Sequence, residues 1–307
     1  MIKKTLYFGN EAYLSTKDEQ LIVRFPDKER AIVQKPIEDI GVVVLDHYRL
    51  TYTHALMQKL IAHNVAVISC DAKHMPQAMF LNLEGNSIQT ERTRIQLEAS
   101  EPLKKNLWQQ TIKAKILNQA SVLQQENKDC KKMLYWAEHV NSGDPDNYEA
   151  RAAAYYWNSL FAPYVNNFVR GRYEAYPNNL LNYGYAILRA VVARALVGSG
   201  LFLSLGIYHR NKYNAFCLAD DIMEPYRPLV DRLVLDIVKV KHAESAGEHT
   251  LLDQESKKKL LQIPVIDVIM QEESSPLMMA MRQTSASLFH CMAGHQRKIK
   301  YPSFLTT

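Results

Sequence analysis

GIYHRNKYNAFCLADDIMEPYRPLVD, the stretch from Gly206 to Asp231, places one histidine ahead of a short helical segment that carries three carboxylates. Asp220, Asp221 and Glu224 stand at positions i, i+1 and i+4, so Glu224 shares a helical face with each aspartate. Carboxylate oxygens together with one imidazole suit Mg²⁺ or Mn²⁺ better than Zn²⁺, which favours thiolates or several histidines. The stretch therefore predicts a site for a hard divalent metal ion. The alternative is a solvated acidic face, in which Arg227 simply pairs with Glu224.

A second candidate carboxylate lies upstream, in the segment DPDNYEARAAAYYW that begins at Asp144. Asp144 can cap a helix there, and Glu149 then falls on a face of small apolar residues. A charge on such a face costs free energy unless it is paired or coordinates a cation. The alternative is a boundary glutamate that reaches water. With His209, Asp221 and Glu224 available downstream, coordination is the better interpretation.

His209 is the histidine of the first stretch. Taken alone it is typical of a surface or hydrogen-bonding residue, and only the acidic helix and Glu149 favour a ligand role. If it binds metal, its second ring nitrogen needs a carbonyl or carboxylate partner that fixes the tautomer.

Three spaced blocks of the sequence resemble the CRISPR-associated integrase family (the Cas-one family). Members of this family are the larger of the two universal spacer-acquisition proteins. The resemblance is strongest to the type II members. The blocks are EARAAAYYW (149–157), NYGYAILRAVVARALVGSGL (182–201) and LGIYHRNKYNAFCLADDIMEPYRPLVD (205–231). The likeness covers nearly the whole chain in order, and three spaced blocks are far more specific than a lone motif.

The resemblance implies a site and a reaction. Carried over residue by residue, it makes Glu149, His209 and Glu224 the ligands of Mg²⁺ or Mn²⁺. Asp221 matches a further acidic position of the catalytic set and is either a ligand or a supporting residue. In the family, the 3′-hydroxyl of a short DNA fragment, the prespacer, attacks the ends of a CRISPR repeat by direct transesterification.

The resemblance also implies partners: DNA as prespacer and leader-repeat, a homodimer, and the small universal CRISPR adaptation protein as a bridge between dimers. In a type II setting, the effector nuclease and an accessory adaptation protein are further candidates. Two other functions stay open. One is a stand-alone metal-dependent endonuclease on branched or single-stranded DNA, and the other is a non-catalytic DNA-binding scaffold of the adaptation complex.

The order of hydrophobic patterns predicts an α+β protein, β-rich first and helical afterwards. Four segments are expected: an N-terminal β-rich domain (1–75), a connector (76–90), a C-terminal all-α domain carrying the metal site (91–292) and a weakly ordered basic tail (293–307). The resemblance makes the first a dimerising β-sandwich. Strands are predicted at 5–8, 20–25, 31–34, 41–45 and 65–70, and helices at 52–63, from 100 onwards, and at 129–140, 146–162, 180–198, 213–240 with a break near Pro225, and 276–292. The helix from 100 onwards has an apolar stripe at mostly four-residue steps, and the polar run 242–256 predicts a loop.

Composition is consistent with a globular, DNA-binding protein but does not identify its function. A chain of 307 residues that is 47% apolar can bury a sizeable core, and a net charge of +5 tolerates a polyanionic partner. The four cysteines are too far apart for a zinc site or a disulfide framework. No secretory signal is recognisable, and the apolar stretch 180–197 contains Arg189 and Arg194. We therefore expect a cytoplasmic protein with no membrane span, and a buried helix at 180–197.

Several basic residues could meet DNA phosphates, and each is equally well explained as a solvated surface charge. They are Lys104, Lys105, Lys113, Lys115, Arg170, Arg172, Arg297, Lys298 and Lys300.

Overall fold

A computed structural model of the protein describes residues 3–171, 176–244 and 252–304. Two β-sheets form its N-terminal part and helices dominate the rest, so the predicted α+β class is confirmed. The N-terminal elements are β1 (Lys4–Phe8), β2 (Tyr13–Lys17), β3 (Gln20–Arg24), β4 (Val33–Pro36), β5 (Ile40–Leu45), β6 (Thr51–Tyr52), α1 (His54–Ala62), β7 (Ala66–Cys70) and β8 (Pro76–Phe80).

The first sheet has the strand order β1-β5-β7-β8, with the first three strands parallel and β8 antiparallel to β7. The second sheet has the order β4-β3-β2-β6. Between the sheets, Val43 and Val67 pack with Leu14 and Val23 and with Leu56 of α1 in one buried cluster. The N-terminal part is therefore sandwich-like, with α1 filling one side of the core.

The strand β2 was not predicted, although it pairs antiparallel with β3 over its whole length. The turn between the two strands uses Asp18 and Glu19 with φ of 50° and 57°. Tight hairpin turns with positive φ ordinarily contain Asn or Gly, because these residues adopt the left-handed region most easily. The sequence lacks that signal here.

The other face of the first sheet belongs to a core shared with the helical part. Val42, Val44, Ala66 and Ile68 alternate with the sandwich residues and join the larger buried cluster. The predicted connector at 76–90 is wrong in its first third, because Pro76–Phe80 forms β8 and closes the first sheet. The two parts are thus joined by packing as well as by the chain.

The helical part is built around one long buried helix. Its elements are α2 (Gln89–Glu98), α3 (Glu101–Gln125), α4 (Lys131–His139), α5 (Tyr148–Leu160), α6 (Asn178–Gly198), α7 (Cys217–Met223), a 3₁₀ turn (Glu224–Tyr226), α8 (Arg227–Glu244), α9 (Gln254–Leu260), β9 (Asp267–Met270), β10 (Glu273–Pro276) and α10 (Leu277–Met292). Within the described residues, α6 is the one helix long and apolar enough to cross a membrane, but 83% of its apolar window is buried inside the protein. It is a core helix, as expected.

The break between α7 and α8 contains Pro225, as the sequence predicted. Proline has no backbone N–H and clashes with the preceding turn, so the α-helical ladder gives way to a 3₁₀ turn. The first helix of this pair begins at Cys217, four residues later than the predicted start at 213.

Two further predictions about the helical part are wrong. The domain is not all-α, because β9 and β10 form an antiparallel hairpin whose turn residues, Gln271 and Glu272, have φ of 51° and 72°. Neither residue is the Asn or Gly that usually marks a hairpin turn in a sequence. The segment 242–256, predicted as a loop, ends in the first turn of α9, and its residues 245–251 lie outside the described part of the chain.

The predicted weakly ordered tail is packed against α3 as far as the structure describes it. Asn118 of α3 donates its amide to the carbonyl of Pro302 at 3.1 Å and accepts from the backbone N–H of Phe304 at 3.3 Å. Ser303 forms an antiparallel bridge with Ile269, and Phe304 is 7% exposed. The basic residues of this segment led to the prediction of weak order, but its apolar residues are packed into the core.

We expect Phe304→Ala to lower the free energy of unfolding by about 3 kcal/mol, because it removes a buried aromatic side chain. Lys298→Ala, which changes an exposed residue of the same segment, should leave it within about 0.5 kcal/mol. Chemical denaturation of the three proteins measures both values. Equal stability of the two variants would contradict the packed tail.

Candidate metal centre

Glu224 is a carboxylate buried in the helical core, on the 3₁₀ turn between α7 and α8, with 5% of its surface exposed. Its Oε2 lies 2.7 Å from Lys115 Nζ, and its Oε1 lies 3.1 Å from Arg227 Nε. Burial alone would raise the pKa of Glu224, but Arg227 and Lys115 together hold that pKa below its ordinary value. Glu224 is therefore a buried anion with two cationic neighbours. The pairing with Arg227 that the sequence allowed is confirmed.

Glu149 also contacts the ammonium group of Lys115, and it does so from a different helix. It lies in the first turn of α5, where the carboxylate of Asp144 accepts the backbone N–H groups of Tyr148 and Glu149, both at 2.9 Å. Asp144 thus caps the helix with its side chain, but the helix begins at Tyr148 with Asn147 at the N-cap position, three residues later than a cap at Asp144 would place it. Lys115 Nζ donates to Glu149 Oε1 at 2.6 Å, so one ammonium group joins α5 to the turn that carries Glu224.

Lys115 was expected to be a surface residue, and that expectation is wrong. Its side chain is 10% exposed and lies between the two glutamates. Burial lowers the pKa of a lysine, but Glu224 and Glu149 reverse the effect and hold the pKa of Lys115 above its ordinary value. The sequence did contain a signal, because Lys115 follows Ile112 by three positions and Trp108 by seven, on the buried stripe of α3.

His209 and Asp221 form the second half of the site. Asp221 is completely buried and accepts His209 Nδ1 at 2.5 Å. It also accepts the backbone N–H groups of Ile207 at 2.7 Å, Tyr208 at 3.0 Å and His209 at 3.3 Å. Asp221 therefore fixes the loop before α7 and leaves His209 Nε2 as the ring nitrogen that faces away from it. The carboxylate of Asp221 is thus the partner that a metal-binding histidine requires for its second ring nitrogen.

The ring of His209 is also held by its neighbours in the loop. Tyr208 stacks on Trp108 with ring centroids 4.1 Å apart, and His209 meets Trp108 edge-on at 5.6 Å. Gly206 permits the close approach, because a Cβ there would lie 2.5 Å from the carbonyl oxygen of His209 and 2.8 Å from Asp221 Oδ2. The hydrogen bond to Asp221 raises the pKa of His209, and burial opposes this rise only in part.

Asp220 takes no part in this arrangement. It accepts Arg189 Nε at 2.7 Å and the amide of Asn214 at 2.7 Å. The three neighbouring carboxylates of the sequence motif thus have three different sets of partners. In the described residues no three His, Cys, Asp or Glu side chains meet closely enough to form a metal-binding group by themselves.

The residues nevertheless fit a hard divalent cation. Glu149 and Glu224 already converge on one positive charge, the ammonium group of Lys115. Glu224 Oε2 is buried and accepts no well-aligned hydrogen bond, although Lys115 is 2.7 Å away. The charges of both glutamates contribute to the raised pKa of His209. Two carboxylates thus converge on a centre that favours cations, and the imidazole lies within electrostatic range of them.

A cleft of about 330 Å³ opens beside His209. Lys104, Arg210 and Lys212 line it, and no acidic side chain does within the described residues. Arg210 is also paired with Glu101 at the rim. The charges of the cleft suit an anionic ligand next to the imidazole.

Solved structures with the same fold include a casposase and Cas1 proteins. The chain superposes with a TM-score of 0.78 on a casposase bound to an integration product, over 97% of this chain and 92% of that one, at 21% identity. A Cas1 protein from Thermotoga maritima also gives 0.78, over 96% and 99%, at 15% identity. A Cas6-RT-Cas1–Cas2 complex gives 0.74, over 99% of this chain and 36% of that one, at 22% identity.

Sequence comparisons identify the family. A CRISPR-associated endonuclease Cas1 of Neisseria meningitidis is 37% identical over 239 residues, which are 77% of this chain and 76% of that protein. A CRISPR-associated endonuclease Cas1 of Francisella tularensis subsp. novicida is 24% identical over 248 residues, 73% and 76% of the two chains. The family model described as CRISPR associated protein Cas1 matches residues 6–263. The chain therefore belongs to the Cas1 family of CRISPR-associated proteins.

Proposed function

We propose that this protein is a metal-dependent DNA integrase of CRISPR adaptation, which joins the 3′-hydroxyl of a prespacer to the ends of a repeat by transesterification. The observation that carries the proposal is the convergence of Glu149 and Glu224 on one buried charge, beside a histidine held by Asp221. Membership of the Cas1 family and the likeness to a casposase bound to an integration product support it.

The roles of the residues follow from their contacts. Glu149, Glu224 and Nε2 of His209 would hold Mg²⁺ or Mn²⁺, which when bound polarises a phosphodiester and favours ionisation of an attacking hydroxyl. Asp221 keeps the proton of His209 on Nδ1, so that Nε2 presents a lone pair. Lys104, Arg210 and Lys212 in the cleft would bind the phosphates that flank the reacting bond.

Asp221 itself is a positioning residue in this proposal. Its two oxygens are already occupied by three backbone N–H groups and the imidazole. Ligation by Asp221 would leave buried donors without partners, which costs about 1–3 kcal/mol for each group. The catalytic set expected from the sequence therefore divides into three ligands and one support.

The proposed partners follow the family. We propose a homodimer in a cytoplasmic complex bridged by a Cas2 protein, since a fold neighbour is part of a complex that contains Cas2. Association with a type II effector nuclease and an accessory adaptation protein is proposed from the resemblance to type II members.

Two rival functions have observations in their favour. Relatives at 37% and 24% identity are named endonucleases, which favours hydrolysis with water in place of the 3′-hydroxyl. Lys115 and Arg227 already neutralise the glutamates, which favours a structural ion-pair network in a DNA-binding scaffold. One experiment separates the three.

We expect Glu149→Gln and Glu224→Gln each to reduce strand transfer more than about 100-fold, because each removes a charged ligand of the metal. The assay joins a labelled 3′-hydroxyl duplex to a supercoiled repeat-bearing plasmid in Mg²⁺ or Mn²⁺, with the Cas2 partner present. Glu138→Gln, an exposed change on α4, is the matched control.

Transfer that needs metal, the free 3′-hydroxyl and both glutamates supports the integrase. Nicking without transfer would favour the endonuclease. DNA binding without cleavage or strand transfer, in the unmodified protein and in every variant, would favour the non-catalytic scaffold.

The pH dependence of metal binding tests His209. Its pKa is raised above the ordinary value of about 6.5, and Nε2 cannot bind metal while it is protonated. We expect Mn²⁺ affinity to fall as the pH drops through the raised pKa. Asp221→Asn removes the charge that raises this pKa, so the midpoint of the fall should move to lower pH while affinity at high pH drops about 10–100-fold.

Titration of Mn²⁺ by electron paramagnetic resonance, at several pH values between about 5 and 9, measures both effects. If the midpoint of the fall in Mn²⁺ affinity is the same in Asp221→Asn, Asp221 does not set the pKa of His209 and the proposed positioning role is wrong.

A further inference from the structure

The most unusual feature of the site is that its anions are already neutralised from within the protein. Lys115 Nζ lies 2.6 Å from Glu149 Oε1 and 2.7 Å from Glu224 Oε2, and Arg227 Nε lies 3.1 Å from Glu224 Oε1. These are two negative and two positive formal charges in contact. The side chains of Lys115 and Glu224 are only 10% and 6% exposed, so water screens this pair weakly, whereas those of Glu149 and Arg227 are 31% and 27% exposed.

Asp220 is paired with Arg189, whereas Asp221 keeps its negative charge, because a neutral imidazole and backbone N–H groups do not cancel it. The charged groups of the centre therefore carry one net negative charge while His209 is neutral. A divalent ion that entered alone would leave at least one positive charge uncompensated. It would also separate the Lys115 ammonium group from at least one carboxylate. Each of these changes costs free energy in a low-dielectric site.

An incoming polyanion removes both costs. A phosphate group beside the centre compensates the charge of the metal ion, and it gives a displaced ammonium group a new anionic partner. The cleft that Lys104, Arg210 and Lys212 line would place such a phosphate beside His209. Lys115 and the two glutamates do not line that cleft, so the ammonium group would have to move toward it on its flexible stem. DNA supplies the phosphate in the reaction proposed above.

We propose that Lys115 makes the binding of the divalent metal and the binding of DNA mutually dependent. The inference rests on the proposed function and adds a regulatory role for a residue of the same site. Lys115 holds the two glutamates together before substrate arrives, and it leaves them for a DNA phosphate as the metal enters. Coupling between two ligands is reciprocal, so metal must strengthen DNA binding by the same factor. The site would then acquire its metal when the substrate is in place.

The test measures binding and not turnover. The Kd of Mn²⁺ is determined by electron paramagnetic resonance with and without a short duplex that ends in dideoxynucleotides, so that no transfer can occur. Mn²⁺ held by the duplex alone, and by the duplex with Glu224→Gln protein, is subtracted. The proteins compared are the unmodified chain, Lys115→Met, Lys115→Arg and Lys131→Met. Lys131 is an exposed residue of α4, outside the set of candidate DNA contacts, and serves as the control.

In the unmodified protein we expect DNA to tighten Mn²⁺ binding by about tenfold or more, within the usual range of coupling between sites. Lys115→Met should bind Mn²⁺ tightly without DNA and show less than about a threefold effect of DNA. Lys115→Arg keeps the charge and should keep the coupling, as should Lys131→Met.

Each contrary result has a separate meaning. Mn²⁺ affinity that is equal with and without DNA in the unmodified protein overturns the coupling but leaves the proposed metal chemistry intact. Full coupling in Lys115→Met overturns the role of Lys115. No protein-dependent Mn²⁺ binding under any condition overturns the proposed function together with the inference. If circular dichroism shows that Lys115→Met is unfolded, loss of coupling in folded Lys115→Arg overturns the role of Lys115.

Discussion

The structure of the helical part depends on one buried anion. Glu224 lies in the core with 5% of its surface exposed, where an unpaired carboxylate would cost several kcal/mol. Two cations from different elements must therefore reach it: Lys115 from α3, and Arg227 from the start of α8. Lys115 in turn requires Glu149 from α5. One charge thus fixes the relative positions of α3, α5 and the turn between α7 and α8.

A second buried carboxylate joins α5, α6 and α8 in a different way. Asp231 of α8 accepts the hydroxyl of Tyr156 on α5 at 3.1 Å, and it also accepts the hydroxyl of Tyr185 on α6. Burial raises the pKa of Asp231 to about 7, because the two hydroxyl groups compensate only part of the lost hydration. Asp231 is thus a hydrogen-bond acceptor at a helix junction, whereas Glu224 remains an anion because cations contact it directly.

Sequence patterns predicted the local parts of this arrangement. The apolar period of α3, the break at Pro225 and the cap at Asp144 depend on neighbours a few residues away, and each was found. Lys115 was misplaced because its partners lie 34 and 109 positions along the chain, and periodicity gives no partner for a charge. The β2–β3 turn was missed because Asp18 and Glu19 adopt a backbone conformation that their side chains do not indicate.

The spacing of the acidic motif also could not assign roles within it, since roles depend on which donors occupy each oxygen. Asp221 is satisfied by three backbone N–H groups, which cannot move without unfolding the loop that carries His209. Glu224 is contacted by charged side chains instead, and the ammonium group of Lys115 is on a flexible stem. A carboxylate whose partners can leave can accept a metal ion, and one whose partners are fixed can only position another ligand. The two acids are three residues apart on one helical segment, yet this difference in donors gives them separate functions.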